Sequence, residues 1–539
     1  MSARAPTAAL HRVMLGLALA SLASCTWFDS GRELDYIGPA PQPQPAAAPG
    51  AAPATAPGRA APAIPEQGPL ALTVREAILL GLENNRALAV ERMTTPIRRT
   101  FEQQERAVFD PVVGAAASTE RTKSQAPSGV RSVVDAHSAS ASVGTFLPTG
   151  TTLELAADAE VLDSSLYSDD LASTRLGLTV TQALLRGAGV QVNLASLRQA
   201  RLDTLASQYE LRGFAESLVA DVELTYWGHA LARRQIEIYA NSLKLAEQQL
   251  EEIRERIKIG TLAETELAAA QAEVALRNEN LINARSILSK QDLRLLRLLN
   301  PPGRDIWGRE IILRNQPAVP DVKLDDVEEH VKVALRMRPD VNQARLEVQR
   351  GDLEVVKTRN GLLPKMDLFI ALGKTGYADS FGQSVCDLDG DAYDVLVGVR
   401  FEYPLGNRDA QARHGRAVLS RQQSMLAVSN LAQLVEVDVR SACIEVKRTR
   451  EQITATAATR KFQAEKLRAE TEKFRVGRST SLLVAQAQRD LLASEIAEIQ
   501  AVVSYLDALV ELHRLEGSLL ERRGISAPGR GPVVLEGER

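Results

Sequence analysis

Apolar positions recur along this chain with two different periods. In the longest stretches they step by three and four. Leu243, Ala246, Leu250, Ile253 and Ile257 do so, as do Leu492, Ile496, Ile499, Val503, Leu506 and Val510. Leu267, Val274, Leu281, Leu288 and Leu295 recur every seven residues. Such stripes predict helices packed side by side over a long distance, although an ordinary helical bundle carries them too. From Val190 to Ile259 the chain has no proline, and only Gly213 and Gly228 interrupt it. That predicts a helix of about 70 residues, roughly 105 Å at 1.5 Å per residue. A second long helix is expected over 409–475. Shorter ones are expected from Gly260 to Asn300, from Leu324 to Gly361, over 71–107 and over 480–522. Laid end to end, two of the shorter helices match one long one. These are the lengths of a tall wall rather than of a compact ball.

Between the helices the period changes to two. Val395, Val397, Val399, Phe401 and Tyr403 alternate with Leu396, Gly398, Arg400 and Glu402. Met366, Leu368, Ile370 and Leu372 alternate with Asp367, Phe369 and Ala371. Leu176, Leu178 and Val180 alternate with Arg175, Gly177, Thr179 and Thr181, and Ala139, Ala141 and Val143 alternate with serines. Strands with one apolar and one polar face fit a membrane β-barrel. They also fit a half-buried sheet in a soluble α+β domain. A sheet in lipid must close, because lipid cannot satisfy an open edge, and the smallest such barrels need about eight strands. Four clear strands, two in each half of the chain, therefore call for several chains, and three copies would supply twelve. A further alternating stretch at 138–160, with a turn at Leu147-Pro148-Thr149-Gly150, has no assigned place.

The chain repeats itself once. Leu72 to Leu88 and Leu324 to Val341 open the two halves in the same way. Phe109-Asp110-Pro111-Val112 matches Leu362-Leu363-Pro364-Lys365 at the same offset. Arg186-Gly187-Ala188-Gly189 and Leu405-Gly406-Asn407-Arg408 are comparable turns before a long helix. Lys258-Ile259-Gly260-Thr261 matches Arg475-Val476-Gly477-Arg478. Landmarks in the same order twice over predict a duplicated plan of helix, strands, long helix, turn and helix.

The first residues read as an address. Arg4, His11 and Arg12 precede the short apolar run Val13 to Ala20, which ends Ser21-Leu22-Ala23-Ser24-Cys25. A charged start, a short apolar segment and small residues describe a secretory signal over 1–24. Leu-Ala-Ser-Cys resembles the bacterial lipobox, so Cys25 is the expected lipidation site. Thr26 rather than Asp follows it, which by the same resemblance implies sorting to the outer membrane. Residues 25–69, rich in Pro and Ala, read as an extended tether.

Composition removes other classes. Of 539 residues only 4% are aromatic, and the net charge of −4 offers no pull towards nucleic acid. Three cysteines, at 25, 386 and 443, are too scattered for a disulfide scaffold or a zinc site, and the six histidines form no metal motif. Asp387, Asp389 and Asp391 cluster in a loop between strands but lack the spacing of an EF-hand, so a solvated loop outweighs a cation site. No convergent catalytic set is present and no cofactor is expected.

In this duplicated plan the chain resembles the TolC-type outer-membrane efflux protein family, from about Leu70 to Arg522. The residues that carry the resemblance are Arg338-Pro339-Asp340-Val341 after a helix, Leu362-Leu363-Pro364 before a strand, and Gln182-Ala183-Leu184-Leu185-Arg186-Gly187 before a long helix. Phe474-Arg475-Val476-Gly477 at a helical turn, followed by Ala485-Gln486-Ala487, completes the set. The resemblance implies an internally duplicated α+β membrane protein, not an enzyme. Repeats at 70–322 and 323–522, followed by a tail at 523–539, would build a long coiled-coil-like α-helical barrel and a twelve-stranded transmembrane β-barrel shared by three chains. It implies a homotrimer in outer-membrane lipid of a Gram-negative bacterium, lipid-anchored and with a long periplasmic part. Its partners would be a periplasmic adaptor (membrane fusion) protein and an inner-membrane pump of the RND, ABC or MFS type, in efflux or type I secretion.

By the same resemblance, Ile259, Gly260, Thr261, Val476, Gly477, Arg478 and Ser479 form the periplasmic tip that meets the adaptor. Aspartates that often narrow the closed end of family members correspond here to the uncharged Leu483 and Gln486. Glu264 and Glu266 lie just past Gly260, and Glu266 could pair with Arg478 of the neighbouring hairpin as a gate latch. The alternative from another class is a periplasmic coiled-coil structural or adaptor lipoprotein with a small soluble sheet.

Overall fold

The computed structural model describes residues 68–535 apart from 126–128, 130, 165–170, 304, 321–323 and 530. The expected signal segment, the lipidation site Cys25 and the tether up to residue 67 lie outside the described residues.

Strand β1 (Leu70–Leu72) leads into three short helices, α1 (Val74–Asn84), α2 (Arg86–Glu91) and α3 (Thr94–Ala107). Four strands follow, β2 (Val112–Gln125), β3 (Arg131–Leu147), β4 (Thr151–Ser164) and β5 (Leu171–Ala183). After the single turn α4 (Val190–Asn193) come the long helix α5 (Ala195–Lys258) and its return α6 (Thr265–Leu299). The second half repeats the plan with β6 (Ile311–Leu313), α7 (Val327–Met337), α8 (Pro339–Gly361), β7 (Lys365–Ala378), the small α9 (Phe381–Cys386) and β8 (Tyr393–Glu402). It closes with α10 (Arg408–Arg475), α11 (Ser481–Leu515) and the short α12 (Leu519–Arg522).

The expected helix over 71–107 is three pieces, for reasons written locally. Thr73 and Glu76 form a reciprocal capping box at the start of α1. Asn85 then ends that helix in extended geometry and caps α2, its side chain accepting from the Leu88 amide. The expected helix from Leu324 to Gly361 is likewise two, because Pro339 can occupy only the first turn of a helix and so opens α8. The long helices match the expectation closely. α5 has 64 residues and α10 has 68, and each returns through a 35-residue helix.

α5 packs against α6, and α10 against α11, as two antiparallel hairpins. α8 lies against both α5 and α10, and α11 also touches α5. The end-to-end matching of lengths holds only in part. Helices α1 to α3 pack on α5 of their own repeat rather than on α10. The core is made of small and aliphatic side chains, as the low aromatic content requires. One cluster joins Leu70, Ile78, Leu88, Val219, Tyr226, Leu295 and Leu519, and a second joins Val331, Val341, Val435, Val446, Tyr505 and Leu512. The C-terminal segment is locked to the helices by buried charge. Arg212, fully buried, donates to Glu216, to Glu521 at 2.7 Å and to the Gly517 carbonyl at 2.9 Å. Arg523 pairs with Glu223, and His330 with Glu516.

The large sheet has six strands in the order β2-β3-β4-β5-β7-β8, every neighbouring pair antiparallel. This corrects the expectation of four strands per chain. The first half supplies four, not two, and the unplaced stretch at 138–160 is the body of β3 and β4. Much of that stretch is Ala, Ser, Thr and Gly, whose small side chains give little contrast between the two faces. β1 and β6 form a separate parallel pair that ties the openings of the two repeats together.

Candidate functional site

Two places follow from this fold: the sheet at one end of the helical hairpins and the turns at the other.

Cross-strand partners share a face of the sheet. The pairs Met366 with Phe401, Leu368 with Val399, Ile370 with Val397 and Leu372 with Val395 put one apolar face across β7 and β8. The register carries that face onward through Val180 and Leu178 on β5, Leu153 and Leu155 on β4, and Val143 and Ala141 on β3. It ends at Val113 and Ala115 on β2. These apolar side chains are open to the surroundings within the chain, with Val397 60% exposed. The opposite face is mostly polar or small, including Ser140, Ser142, Glu154, Asp158, Thr179, Asp367 and Arg400, with Phe146, Phe369 and Leu396 as its larger apolar members. Strands of 10 to 17 residues reach or exceed the 9–11 residues a tilted strand needs to cross a bilayer. An apolar band on one face and polar groups on the other is the division a water-filled barrel in lipid requires.

Glycines let the polar face interlock. Arg175 on β5 and Asp394 on β8 are separated by β7, yet pair at 2.7 Å. They meet over Gly373, where a Cβ would lie 2.3 Å from Asp394 Oδ1 and 2.7 Å from Arg175 Nη2. Phe369 likewise lies over Gly398 of the next strand, with no room for a side chain there. Sequence reading missed the Arg175–Asp394 pair, because its partners are 219 residues apart.

The sheet joins the helices through two matched turns. Gly187 (φ +85°) and Asn407 (φ +40°) take the left-handed conformation after β5 and β8. Both are tied to the end of α8. Asn360 Oδ1 accepts from the Gly187 amide at 2.8 Å, and Asn407 Nδ2 donates to the Leu362 carbonyl at 3.0 Å.

At the far end the two helical turns are copies of each other. Gly260 (φ +75°) and Gly477 (φ +72°) end α5 and α10 in the left-handed conformation. The amide of Thr261 reaches back to the Arg256 carbonyl at 2.9 Å, and that of Arg478 to the Lys473 carbonyl at 2.8 Å. Ile259 and Val476, the residues before the glycines, are each 69% exposed. Arg256 lies over the Phe474 ring at 5.3 Å, joining the two hairpins beside their turns. Ser479 donates to Glu470 at 2.8 Å, and Lys473 with Ser479 holds that carboxyl below its usual range.

Glu266 accepts from Ser481, which ties the start of α6 to the start of α11. Among the described residues no ion pair joins Glu266 to Arg478, and Arg478 is exposed. Leu483 and Gln486 also face outward, so this stretch of the tip presents uncharged side chains.

The other candidates stay apart. Cys386 is exposed and Cys443 buried, and both are free thiols. Asp387 accepts from the Tyr377 amide at 3.0 Å, which makes it a loop cap. Among the described residues no acidic, Cys or His group could hold a metal ion. No described helix is long and apolar enough to cross a membrane.

The outer membrane efflux protein family matches residues 331–518, which run from α7 to the end of α11. The pyoverdine export outer membrane protein OpmQ of Pseudomonas aeruginosa is 23% identical over 367 residues, 66% of this chain and 72% of that protein. Among solved structures, the outer-membrane channel OprN superposes with a TM-score of 0.61 at 18% identity, covering 83% of this chain and 90% of OprN. The CmeC outer membrane channel of Campylobacter jejuni gives 0.61 at 16% identity, covering 83% and 86%. The resemblance read from the sequence is thus borne out. The structural likeness covers 83% of this chain, so the fold shared with these channels extends beyond the matched segment into the first half.

Proposed function

We propose that three copies of this chain form an exit duct in the outer membrane, passing solutes from an inner-membrane pump and a periplasmic adaptor to the exterior. The observation that carries this reading is the sheet. It has one apolar face, one polar face and two unpaired edges, at one end of helical hairpins about 100 Å long. The apolar face belongs in lipid, the polar face lines the conduit, and neighbouring copies close the edges. Exposed Ile259 and Val476, beside their two glycine turns, supply a repeated apolar contact for the adaptor at the opposite end. Cys25, acylated, anchors the tether; several acyl chains at about 0.8 kcal/mol per buried methylene hold firmly. Residues 70–322 and 323–522 act as two arms of one wall.

The native mass of the detergent-extracted mature protein tests the reading. A three-chain mass, with heat-sensitive migration on gels, is the expected result. A monomer that stays in solution without detergent overturns it and leaves a periplasmic scaffold. Mass spectrometry of the N-terminal peptide, with Cys25→Ser as the control, tests the anchor separately.

A further inference from the structure

The two repeats differ in one place. In the second, β7 starts after Pro364, the connection 379–392 crosses the far end of the sheet, β8 returns, and the long helix α10 begins. In the first, β2 starts after Pro111 and β5 returns to the long helix through α4. The connection between them, however, holds two more strands. β3 and β4 begin and end at the far end of the sheet, joined near the helices by the Leu147–Thr151 turn. They are therefore an insertion into an otherwise duplicated pair.

The inserted hairpin is built as wall rather than as plug. β3 pairs with β2 from Val112↔Gly144 to Gln125↔Arg131, and β4 pairs with β5 from Thr151↔Gln182 to Leu162↔Leu171. Val143 and Leu155 continue the apolar face and are 44% and 48% exposed, whereas Ser140 and Asp158 continue the polar one. A hairpin folded into a watery lumen would not need an apolar face. Both sides of β4 and of β5 are already paired, which leaves β2 and β8 as the edges of the described sheet.

Given the three-copy duct proposed above, we infer that its barrel has eighteen strands rather than twelve, with β2 of one copy paired to β8 of the next. Three sheets of six give that count. With strands ~4.8 Å apart and tilted by ~40°, the backbone radius rises from about 12 Å to about 18 Å. The cross-section of the outer bore then grows about twofold, suiting bulky cargo. The inserted hairpins line the added bore with small and acidic side chains.

Disulfide trapping tests the edge pairing in the full chain, with Cys386 and Cys443 replaced by alanine and Cys25 kept. Ala115→Cys on β2 is combined in turn with Val395→Cys, Val397→Cys and Val399→Cys on β8. Leu155→Cys on β4 with each of the same three is the control. Covalent links between copies from β2 to β8 in at least one combination, and none from β4, is the expected result. Links from β4 to β8, or no β2–β8 link in any register, overturn the inference while a three-chain native mass leaves the duct standing. A mass other than three chains removes the duct itself. Polymer exclusion in planar bilayers is the second reading. Replacing residues 127–168 with a Gly-Gly link keeps the topology, because β2 and β5 then form a simple hairpin. The full chain should admit polymers of about 1.5-fold larger radius at its outer mouth than the shortened chain, and an equal cut-off refutes the wide barrel.

Discussion

Buried charge is concentrated where the two repeats meet. Arg212 serves two carboxylates and two carbonyls without contact with water. Burial pushes Glu216 up to about 7 against the pull of Arg212. Removing one partner of such a group leaves the others unpaired, at a cost of about 3–5 kcal/mol. Arg212→Ala is therefore expected to lower the unfolding temperature of the extracted protein by several degrees. Asp507, on α11, is the opposite case. Burial raises its carboxyl from 3.8 to about 7, with no partner to offset it. A carboxyl whose folded value is raised favours the folded state while protonated. That advantage is present below its unfolded value and is lost as pH climbs towards 7. Asp507→Asn is expected to raise thermal stability at pH 8 and to change little at pH 4, as unfolding curves at the two values will show. A gain at pH 4 as large as that at pH 8 would contradict the assignment.

At the scale of the element, single glycines decide whether strands and turns can form. A side chain at Gly398 would meet the Phe369 ring at 2.4 Å. Gly398→Leu is expected to reduce the amount of heat-modifiable protein in the membrane fraction, and Phe369→Ala in the same chain to restore part of it. If the second change brings no recovery, the ring is not the obstacle. At the helical turns, nothing crowds Gly260 or Gly477; their constraint is the positive φ alone. A β-branched residue there costs about 1–2 kcal/mol. Gly477→Val should therefore leave assembly and heat resistance intact while weakening export, measured as cell-associated accumulation of a pump substrate.

At the scale of the whole molecule, the hairpins separate the sheet from the helical turns by about 100 Å. Changes at one end should therefore leave the other end standing. Ile259→Asp combined with Val476→Asp places charge at both apolar tip positions. It is expected to abolish adaptor cross-linking and export while the three-chain mass stays unchanged. Loss of the trimer in that variant would mean that these residues hold the chains together instead. Leu483 and Gln486 are exposed and uncharged at the same end.

The sequence alone determined whatever depends on local period and on local backbone demands. A proline-free stretch with a seven-residue stripe specifies a long helix, because each turn presents its own apolar edge. Gly260 and Gly477 specify where those helices stop, since only glycine takes the left-handed conformation cheaply. Strong alternation in β7 and β8 was legible for the same reason, and the four ordered landmarks exposed the duplication. The tertiary structure decided what depends on partners far apart in the chain. β4 is a strand because β3 and β5 satisfy its backbone on both sides, and β2 because β3 does so on one; the many Ala, Ser and Thr side chains of β2 and β4 barely announce it. Arg175 and Asp394 meet only once β5, β7 and β8 lie in register, with Gly373 leaving the gap between them. Glu266 meets Ser481 because α6 and α11 start side by side. The number of strands, and with it the width of the proposed duct, was fixed by register, which no periodicity within a single strand encodes.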